Sequence, residues 1–234
     1  GVAMAQSSVT LYGVADLSLV KSNGVSAQMS GNGVMNNGSS RLGVRGVEDL
    51  GGGLKASFNF EHGLNMENGA GNLSGGQMWS RAAWMALQGG FGRVQMGRTL
   101  TPSFYGIAAW ELTGTANYGV VDKQFNFNGA GPRDSSVLQY SFATGGFSTT
   151  LGYIFKPDNA GNAKTDLNVI YKQGPLAVAL SYNKTSNVSG SNYALGANYD
   201  FGAFKVAGSI QNPRGNSKGF TIGGTVPVGP VALT

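Results

Sequence analysis

The chain has 234 residues, 39 glycines, no cysteine and a formal net charge of +5. No apolar run approaches the roughly 20 residues that a membrane-spanning helix needs, so the composition excludes a helical membrane protein. The lysines and arginines are scattered singly rather than in basic runs, and we therefore expect no nucleic-acid partner. Charged residues make up only 12% of the chain, a low fraction for a water-soluble domain.

The start of the chain carries a pattern typical of secretory processing. Small residues, Ala3 and Ala5, stand at the two positions that a cleavage site before Gln6 requires. Residues 1–5 are therefore predicted to be the remnant of a signal peptide, and residues 6–234 to form one domain. The alternative is an ordinary lead-in to the first strand.

A first strand is predicted over Ser8–Val20, because apolar and polar residues alternate there with a period of two. One face carries Val9, Leu11 and Gly13, and the other carries Thr10, Tyr12 and Asp16. Residues 21–39 are rich in Gly, Ser and Asn, which predicts a polar loop.

A hairpin is predicted over Ser40–Glu61, with the glycines at 51–53 supplying the positive φ of its turn. Its apolar positions are Leu42, Val44, Gly46, Leu54, Ala56, Phe58 and Phe60; its polar face carries Arg41, Gly43, Arg45, Lys55, Ser57, Asn59 and Glu61. In a soluble sandwich the apolar face is buried. In a membrane barrel it faces lipid, and the polar face lines water.

The remaining sequence repeats this design, with short glycine turns alternating with longer polar loops. A loop is predicted over 63–79 and a long irregular stretch over 99–134. Further strands are predicted over 81–87, 93–98, 137–142, 147–155, 166–172, 176–183, 193–201, 204–211 and 219–226, and a last one begins at Val231 after the turn at Gly229-Pro230. The chain therefore holds about twelve strands and the start of a thirteenth, each near the ~10 residues of a membrane strand.

Aromatic residues gather near the ends of the later predicted strands, on the apolar face. They are Tyr140, Phe142, Phe147, Tyr153, Phe155, Tyr171, Tyr182, Tyr199 and Phe201. Membrane interfaces collect such rings. Together with the unequal loop lengths, this pattern favours an all-β fold, a transmembrane antiparallel β-barrel, over a sandwich.

Three motifs resemble the general diffusion porins of Gram-negative outer membranes, and in particular their β-proteobacterial branch. They are Val9–Gly13, Ser40–Ala56 and Gly92–Arg98, of which RGVEDLGGGLKA is the most specific. The resemblance implies a sixteen-stranded barrel, a homotrimer in outer-membrane lipid, and a long third loop folded into the lumen. Because Thr234 stands within a predicted strand, we expect a C-terminally truncated fragment with about twelve to thirteen of these strands.

The resemblance also places basic residues at the pore constriction, where the second, fourth and sixth strands begin. The matching positions are Arg41, Arg81 and Arg133, with Glu61 as an acidic partner on the third strand. Spacing assigns all three arginines to the inward face, Arg81 together with Met85, and Arg133 together with Gln139.

The third loop should carry acidic residues that face these arginines. Glu111 and Asp122 are its only carboxylates between Thr99 and Arg133, and the PEFGG element of many relatives is absent. Further pore-lining residues are predicted at Asp16, Arg45, Lys55 and Arg93. Contacts between subunits are predicted at Arg98 and on an outer face of small or aromatic residues, namely Gly13, Ala82, Trp84 and Ala86.

Basic residues outnumber acidic ones at these positions. We therefore predict a water-filled channel for passive diffusion of small hydrophilic solutes and ions, with a preference for anions. The alternative is a substrate-selective channel for sugars or organic acids, which an aromatic track of Phe104, Tyr105 and Trp110 would favour. A barrel enzyme is disfavoured because His62 is the only histidine, and we expect no catalytic residue, metal site or cofactor.

Overall fold

The computed structural model describes residues 7–33, 35–71, 76–117, 119, 131–215, 217–229 and 231–234. The predicted signal-peptide remnant lies outside these residues. The chain forms two compact units, Gly1–Thr99 with Ala116–Tyr118 and Leu100–Thr115 with Gly119–Thr234. In the described part of the chain, no helix is long and apolar enough to cross a membrane.

The first unit is an antiparallel meander with one small additional hairpin. Its strands are β1 (Ser8–Val14), β2 (Ser18–Val20), β3 (Gln28–Ser30), β4 (Arg41–Gly51), β5 (Leu54–Gly63), β6 (Ala82–Gly89) and β7 (Gly92–Leu100). β1 pairs with β4, and β4 to β7 pair in chain order. The predicted hairpin is confirmed, with positive φ at all three turn glycines, Gly51, Gly52 and Gly53.

The first strand is shorter than predicted, because it ends at Val14 and the chain then leaves the sheet. Asp16, expected on the pore wall, lies in the loop that follows. Its carboxylate accepts hydrogen bonds from Asn36 Nδ2 at 2.6 Å and from the Gly38 N–H at 3.1 Å. These bonds tie the outgoing chain to the returning one, and β2 pairs with β3 inside the segment predicted as a continued strand and a loop.

The second unit is also an antiparallel meander, in which each strand pairs with the next along the chain. Its strands are β8 (Arg133–Thr144), β9 (Phe147–Ile154), β10 (Lys164–Gln173), β11 (Leu176–Thr185), β12 (Asn192–Asp200), β13 (Lys205–Asn212), β14 (Gly219–Val228) and β15 (Val231–Leu233). A turn of 3₁₀ helix, Lys156–Asn159, follows β9.

A short helix, α1 (Pro102–Ala108), lies in the stretch that was predicted to be irregular. The Thr101 side chain caps it by accepting a hydrogen bond from the Phe104 N–H at 3.2 Å. Pro102 suits the first turn because it has no N–H to satisfy there. The sequence signal for this helix was a capping threonine before a proline.

The apolar faces of the strands are exposed in both units. Leu11 in β1 is 68% exposed, and Ile222 in β14 is 81% exposed. The predicted aromatic residues follow this face, and most of them are exposed. The buried apolar cluster of the second unit instead lies between the α1 segment and β11–β13; it comprises Ile107, Ala109, Trp110, Ala179, Ala194 and Ala207. A soluble sandwich would bury the apolar rows, so this pattern favours the transmembrane barrel.

Candidate functional site

A carboxylate bridged by two guanidinium groups lies on one face of the first unit. Glu61 Oε1 accepts a hydrogen bond from Arg81 Nε at 2.6 Å, and Glu61 Oε2 lies 3.8 Å from Arg41 Nε. Arg41 begins β4 and Glu61 lies near the end of its antiparallel partner β5, so the hairpin itself brings them together. The side chains of Arg41, Glu61 and Arg81 are 30%, 13% and 11% exposed, which leaves the group partly open to water.

Tyr12 joins this group from β1. Its hydroxyl lies 2.7 Å from Glu61 Oε2 and 2.9 Å from Asn59 Oδ1. The Arg45 guanidinium lies over the Tyr12 ring, 5.1 Å from its centroid. We call the face of β1 and β4–β7 that carries Tyr12, Arg45 and Glu61 the polar face.

Two more of the predicted pore-lining residues, Lys55 and Arg93, lie on the polar face. Arg93 donates to Gln95 Oε1 at 2.7 Å and to Ser57 Oγ at 3.3 Å, and its guanidinium lies 4.8 Å from the centre of the Trp84 ring. These three contacts hold the Arg93 guanidinium on the polar face.

The face assigned to β6 from the sequence is wrong. Trp84 pairs with Asn59 in β5, which places Trp84, Ala82 and Ala86 on the polar face and Met85 on the apolar one. The prediction extended the alternation back to Arg81, but Arg81 precedes the strand and bends onto Glu61. These residues therefore offer no outer surface for subunit contacts.

Arg98 lies on the apolar side of the sheet, where it pairs with Ala83 of β6. Its Nε donates to the Ser80 carbonyl oxygen at 2.6 Å. A role in contacts between subunits stays a prediction.

In the second unit, Arg133 begins β8, but its parity with Gln139 does not hold. Ser136 has a φ of 53°, which breaks the alternation between them. Asp134 and Val137 are both buried on the face opposite the exposed apolar rows, although they are three residues apart. The constriction role of Arg133 stays a prediction.

The two predicted acidic residues of the third loop have different outcomes. Glu111 is buried, and its carboxylate accepts hydrogen bonds from Thr113 N at 2.8 Å and Thr113 Oγ1 at 2.7 Å. It therefore organises the chain that follows it. Asp122 lies outside the described residues, and the role predicted for each at the constriction stays a prediction.

A buried ionic network in the second unit was missed by the sequence analysis. Lys164 Nζ lies 2.7 Å from Asp134 Oδ1 and 3.9 Å from Asp166 Oδ2. Asp166 in turn accepts hydrogen bonds from Ser103 N at 2.6 Å and Ser103 Oγ at 2.9 Å. The carboxylate thus holds the start of α1 against β10. The sequence signal for this network was a pair of opposite charges, Lys164 and Asp166, two residues apart on one strand and therefore on the same face.

Further contacts seat the α1 segment on the same strands. Asn168 Nδ2 donates to the Pro102 carbonyl at 2.7 Å, and Ser181 Oγ donates to the Ser103 carbonyl at 2.8 Å. The Trp110 ring lies over Gly196, where any Cβ would overlap it. The α1 segment of the third loop is therefore folded onto the strand face opposite the exposed apolar rows.

This packing removes one support for a substrate-selective channel. Trp110 is only 1% exposed, and Phe104 packs against the buried cluster. Of the predicted aromatic track, Tyr105 alone is exposed. A sugar track needs a row of accessible ring faces, which these three residues do not provide.

Among the described residues, no group of three potential metal ligands is found. The strands of the first unit have an exposed apolar face and an opposite face that carries Glu61 and the arginines bound to it. A channel through lipid requires two such faces, one toward the lipid and one toward water. Together these features define the class of antiparallel β-barrel channels.

Solved structures share this architecture. The anion-selective porin from Comamonas acidovorans is similar over 96% of this chain and 75% of its own, with a TM-score of 0.75 and 30% sequence identity. OmpT of Vibrio cholerae, in a variant lacking one loop, matches with a TM-score of 0.69 at 19% identity, over 95% of this chain and 77% of its own, and shows the fold alone.

Sequence comparison extends the match. The outer membrane porin protein 32 of Delftia acidovorans is 32% identical over 260 residues, which cover 99% of this chain and 73% of that protein. The Gram-negative porin family model matches residues 1–234. The chain belongs to the Gram-negative porin family. The predicted family, the β-barrel fold and the location in the outer membrane are confirmed.

Proposed function

We propose that this porin forms a water-filled channel for passive diffusion of small hydrophilic solutes and ions, and that the channel favours anions. The observation that carries the preference is the charge on the polar face. Among the described residues of the first unit, the polar face carries more basic side chains than acidic ones. The five basic residues are Arg41, Arg45, Lys55, Arg81 and Arg93, and the two acidic residues are Asp49 and Glu61.

The physical reason is the field that such a face creates in water. Low-dielectric walls screen charge poorly, so an excess of guanidinium groups raises the local concentration of anions. Glu61 carries one negative charge between the two positive charges of Arg41 and Arg81, and it holds both guanidinium groups on the polar face. The anion-selective porin from Comamonas acidovorans, at 30% identity, supports the same preference.

We also propose that the protein is a channel without catalytic activity and that it assembles as a homotrimer in outer-membrane lipid. His62 contacts the Met78 carbonyl through its Nδ1 and is not joined there to a nucleophile. The trimer is what the resemblance to general diffusion porins implies. Crosslinking of the purified protein in detergent tests it, and a single monomer band would contradict it.

The channel proposal is tested by planar-bilayer recording of the porin expressed from its complete gene. Under a KCl gradient we expect the reversal potential to be displaced from zero toward the equilibrium potential of chloride. A displacement toward the equilibrium potential of potassium would overturn the anion preference. Liposome swelling separates the two kinds of channel, because a passive pore ranks neutral solutes by size alone, whereas a substrate-selective one passes a particular sugar faster than its size predicts.

A further inference from the structure

Tyr12 reaches across one strand of the first unit to the next. It pairs with Gly43 between β1 and β4, and Gly43 pairs with Glu61 between β4 and β5. A Cβ at position 43 would overlap the Tyr12 ring. Glycine is therefore what lets the ring lie over β4 and bring its hydroxyl to β5.

At β5 the hydroxyl lies between two side chains, with Glu61 Oε2 at 2.7 Å and Asn59 Oδ1 at 2.9 Å. A phenol has one hydrogen to donate, and the charged carboxylate is the stronger acceptor. Glu61 thus has one oxygen bound by Arg81 and the other by Tyr12.

The ring also positions Arg45. The guanidinium lies 5.1 Å from the ring centroid, and Arg45 pairs with Asn59, the neighbour of Glu61 on the same face of β5. Within the described residues, no carboxylate lies within 4.0 Å of Arg45. A cation on a ring face keeps its other side open to water and to solutes.

We propose that Tyr12 is a positioning residue that sets the strength of the anion preference. It occupies one oxygen of Glu61 and holds Arg45 on its ring, so that the Arg45 charge stays open to the channel instead of pairing with Glu61. This inference rests on the proposed function, and it adds Tyr12 to the residues that determine selectivity.

The test is the chloride-to-potassium permeability ratio from reversal potentials. In Tyr12→Leu, Arg45 turns onto Glu61, and the ratio falls about two- to fivefold, the range that one exposed cation–π contact is worth. Tyr12→Phe retains the ring and therefore most of the ratio. An unchanged ratio in Tyr12→Leu, or an equal fall in both variants, would overturn the role of the ring.

A second variant reaches the same group without altering Tyr12. Gly43→Ala places a methyl group in the space of the ring and is expected to lower the ratio as Tyr12→Leu does. Gly46→Ala is the matched control, because its Cβ would instead overlap Phe58 on the apolar face of the same strands. Equal ratios in the two glycine variants would contradict the proposal.

A double-mutant cycle separates positioning from a general structural effect. In an Arg45→Ala background, Tyr12→Leu is expected to change the ratio no further, whereas a full additional fall would overturn the route through Arg45. The wild-type recording distinguishes a failure of the proposed anion-favouring channel from a failure of the role proposed for Tyr12. Potassium preference in the wild type defeats the proposed function, whereas chloride preference that Tyr12→Leu leaves intact defeats only this inference.

Discussion

Each unit holds a cluster in which one charged group bridges two of the opposite sign, and the two clusters differ in sign and in burial. In the first unit Glu61 lies between Arg41 and Arg81, whose side chains are 30% and 11% exposed. In the second unit Lys164 lies between Asp134 and Asp166, with side chains 5%, 6% and 2% exposed.

The difference separates two uses of the same chemistry. Partly exposed ion pairs add little to stability, because water competes for both partners, but their net charge acts on passing ions. Buried charges pay a large desolvation cost, and the loss of one partner leaves an uncompensated charge. We infer that the first cluster sets selectivity and the second fixes the position of the α1 segment.

Asp166→Ala is expected to have the largest effect on stability. It leaves the Ser103 N–H without its acceptor and Lys164 with one carboxylate in a buried site. We expect a loss of about 3–5 kcal/mol in the free energy of unfolding, measured by urea unfolding in lipid vesicles. Asp158→Ala, in the exposed 3₁₀ helix, is the matched control. Equal stabilities of the two variants would show that the buried network does not hold α1.

Gly196→Ala tests the seating of the same segment through packing instead of charge. The new methyl group overlaps the Trp110 ring, and such overpacking costs about 1–3 kcal/mol. A fall in the unfolding midpoint and a red shift of Trp110 fluorescence are expected. Gly223→Ala, where the nearest heavy atom is Leu112 Cδ1 at 3.6 Å, is expected to be tolerated, and equal destabilisation by both variants would count against this packing.

Glu61→Gln tests the first cluster and should act on selectivity more than on stability. Removal of the carboxylate leaves Arg41 and Arg81 uncompensated. The chloride-to-potassium permeability ratio then rises about fourfold, because one unit charge about 10 Å away in water changes the population of each ion about twofold and in opposite directions. Glu48→Gln makes the same change on the other face of β4 and is expected to leave the ratio unaltered. A ratio that falls in Glu61→Gln would reverse the assigned sign.

The smallest effect is expected in the loop after β1. The hydrogen bond from Asn36 lowers the pKa of the Asp16 carboxyl below its ordinary value. A lowered pKa contributes stability above the unfolded pKa, and that contribution is lost as the pH falls through the folded pKa. Asn36→Ala is expected to raise the Asp16 pKa, which NMR titration measures. As the pH is lowered, protease cleavage of the β2–β3 hairpin is then expected to begin at a higher pH than in the wild type. Asn23→Ala is the control. An Asp16 pKa that is the same in Asn36→Ala and Asn23→Ala would contradict this assignment.

Much of the fold was predictable because the strand signal is local. The Ser40–Glu61 hairpin follows from alternation and a run of glycines, and the structure reproduces it. The errors arose where a local feature of the chain interrupts the alternation of apolar and polar residues. Asp16 ends β1 by binding the returning loop, Ser136 breaks the alternation of β8 through its positive φ, and Arg81 precedes its strand.

The candidate site was predictable only in part, for the same reason. Arg41 and Glu61 belong to one hairpin, so their contact follows from register. Contacts between segments distant in sequence leave no such trace. Ser103 meets Asp166 through the path of the third loop, and Tyr12 reaches Glu61 only because residue 43 is a glycine.

The reversal potential of the Arg41→Gln/Arg81→Gln double variant, recorded beside the wild type under the same KCl gradient, tests the central claim most directly. If the guanidinium groups around Glu61 supply much of the positive charge of the polar face, their removal leaves three cations there against two carboxylates. The chloride-to-potassium permeability ratio then falls severalfold. A double variant that still prefers chloride as strongly as the wild type would contradict the account.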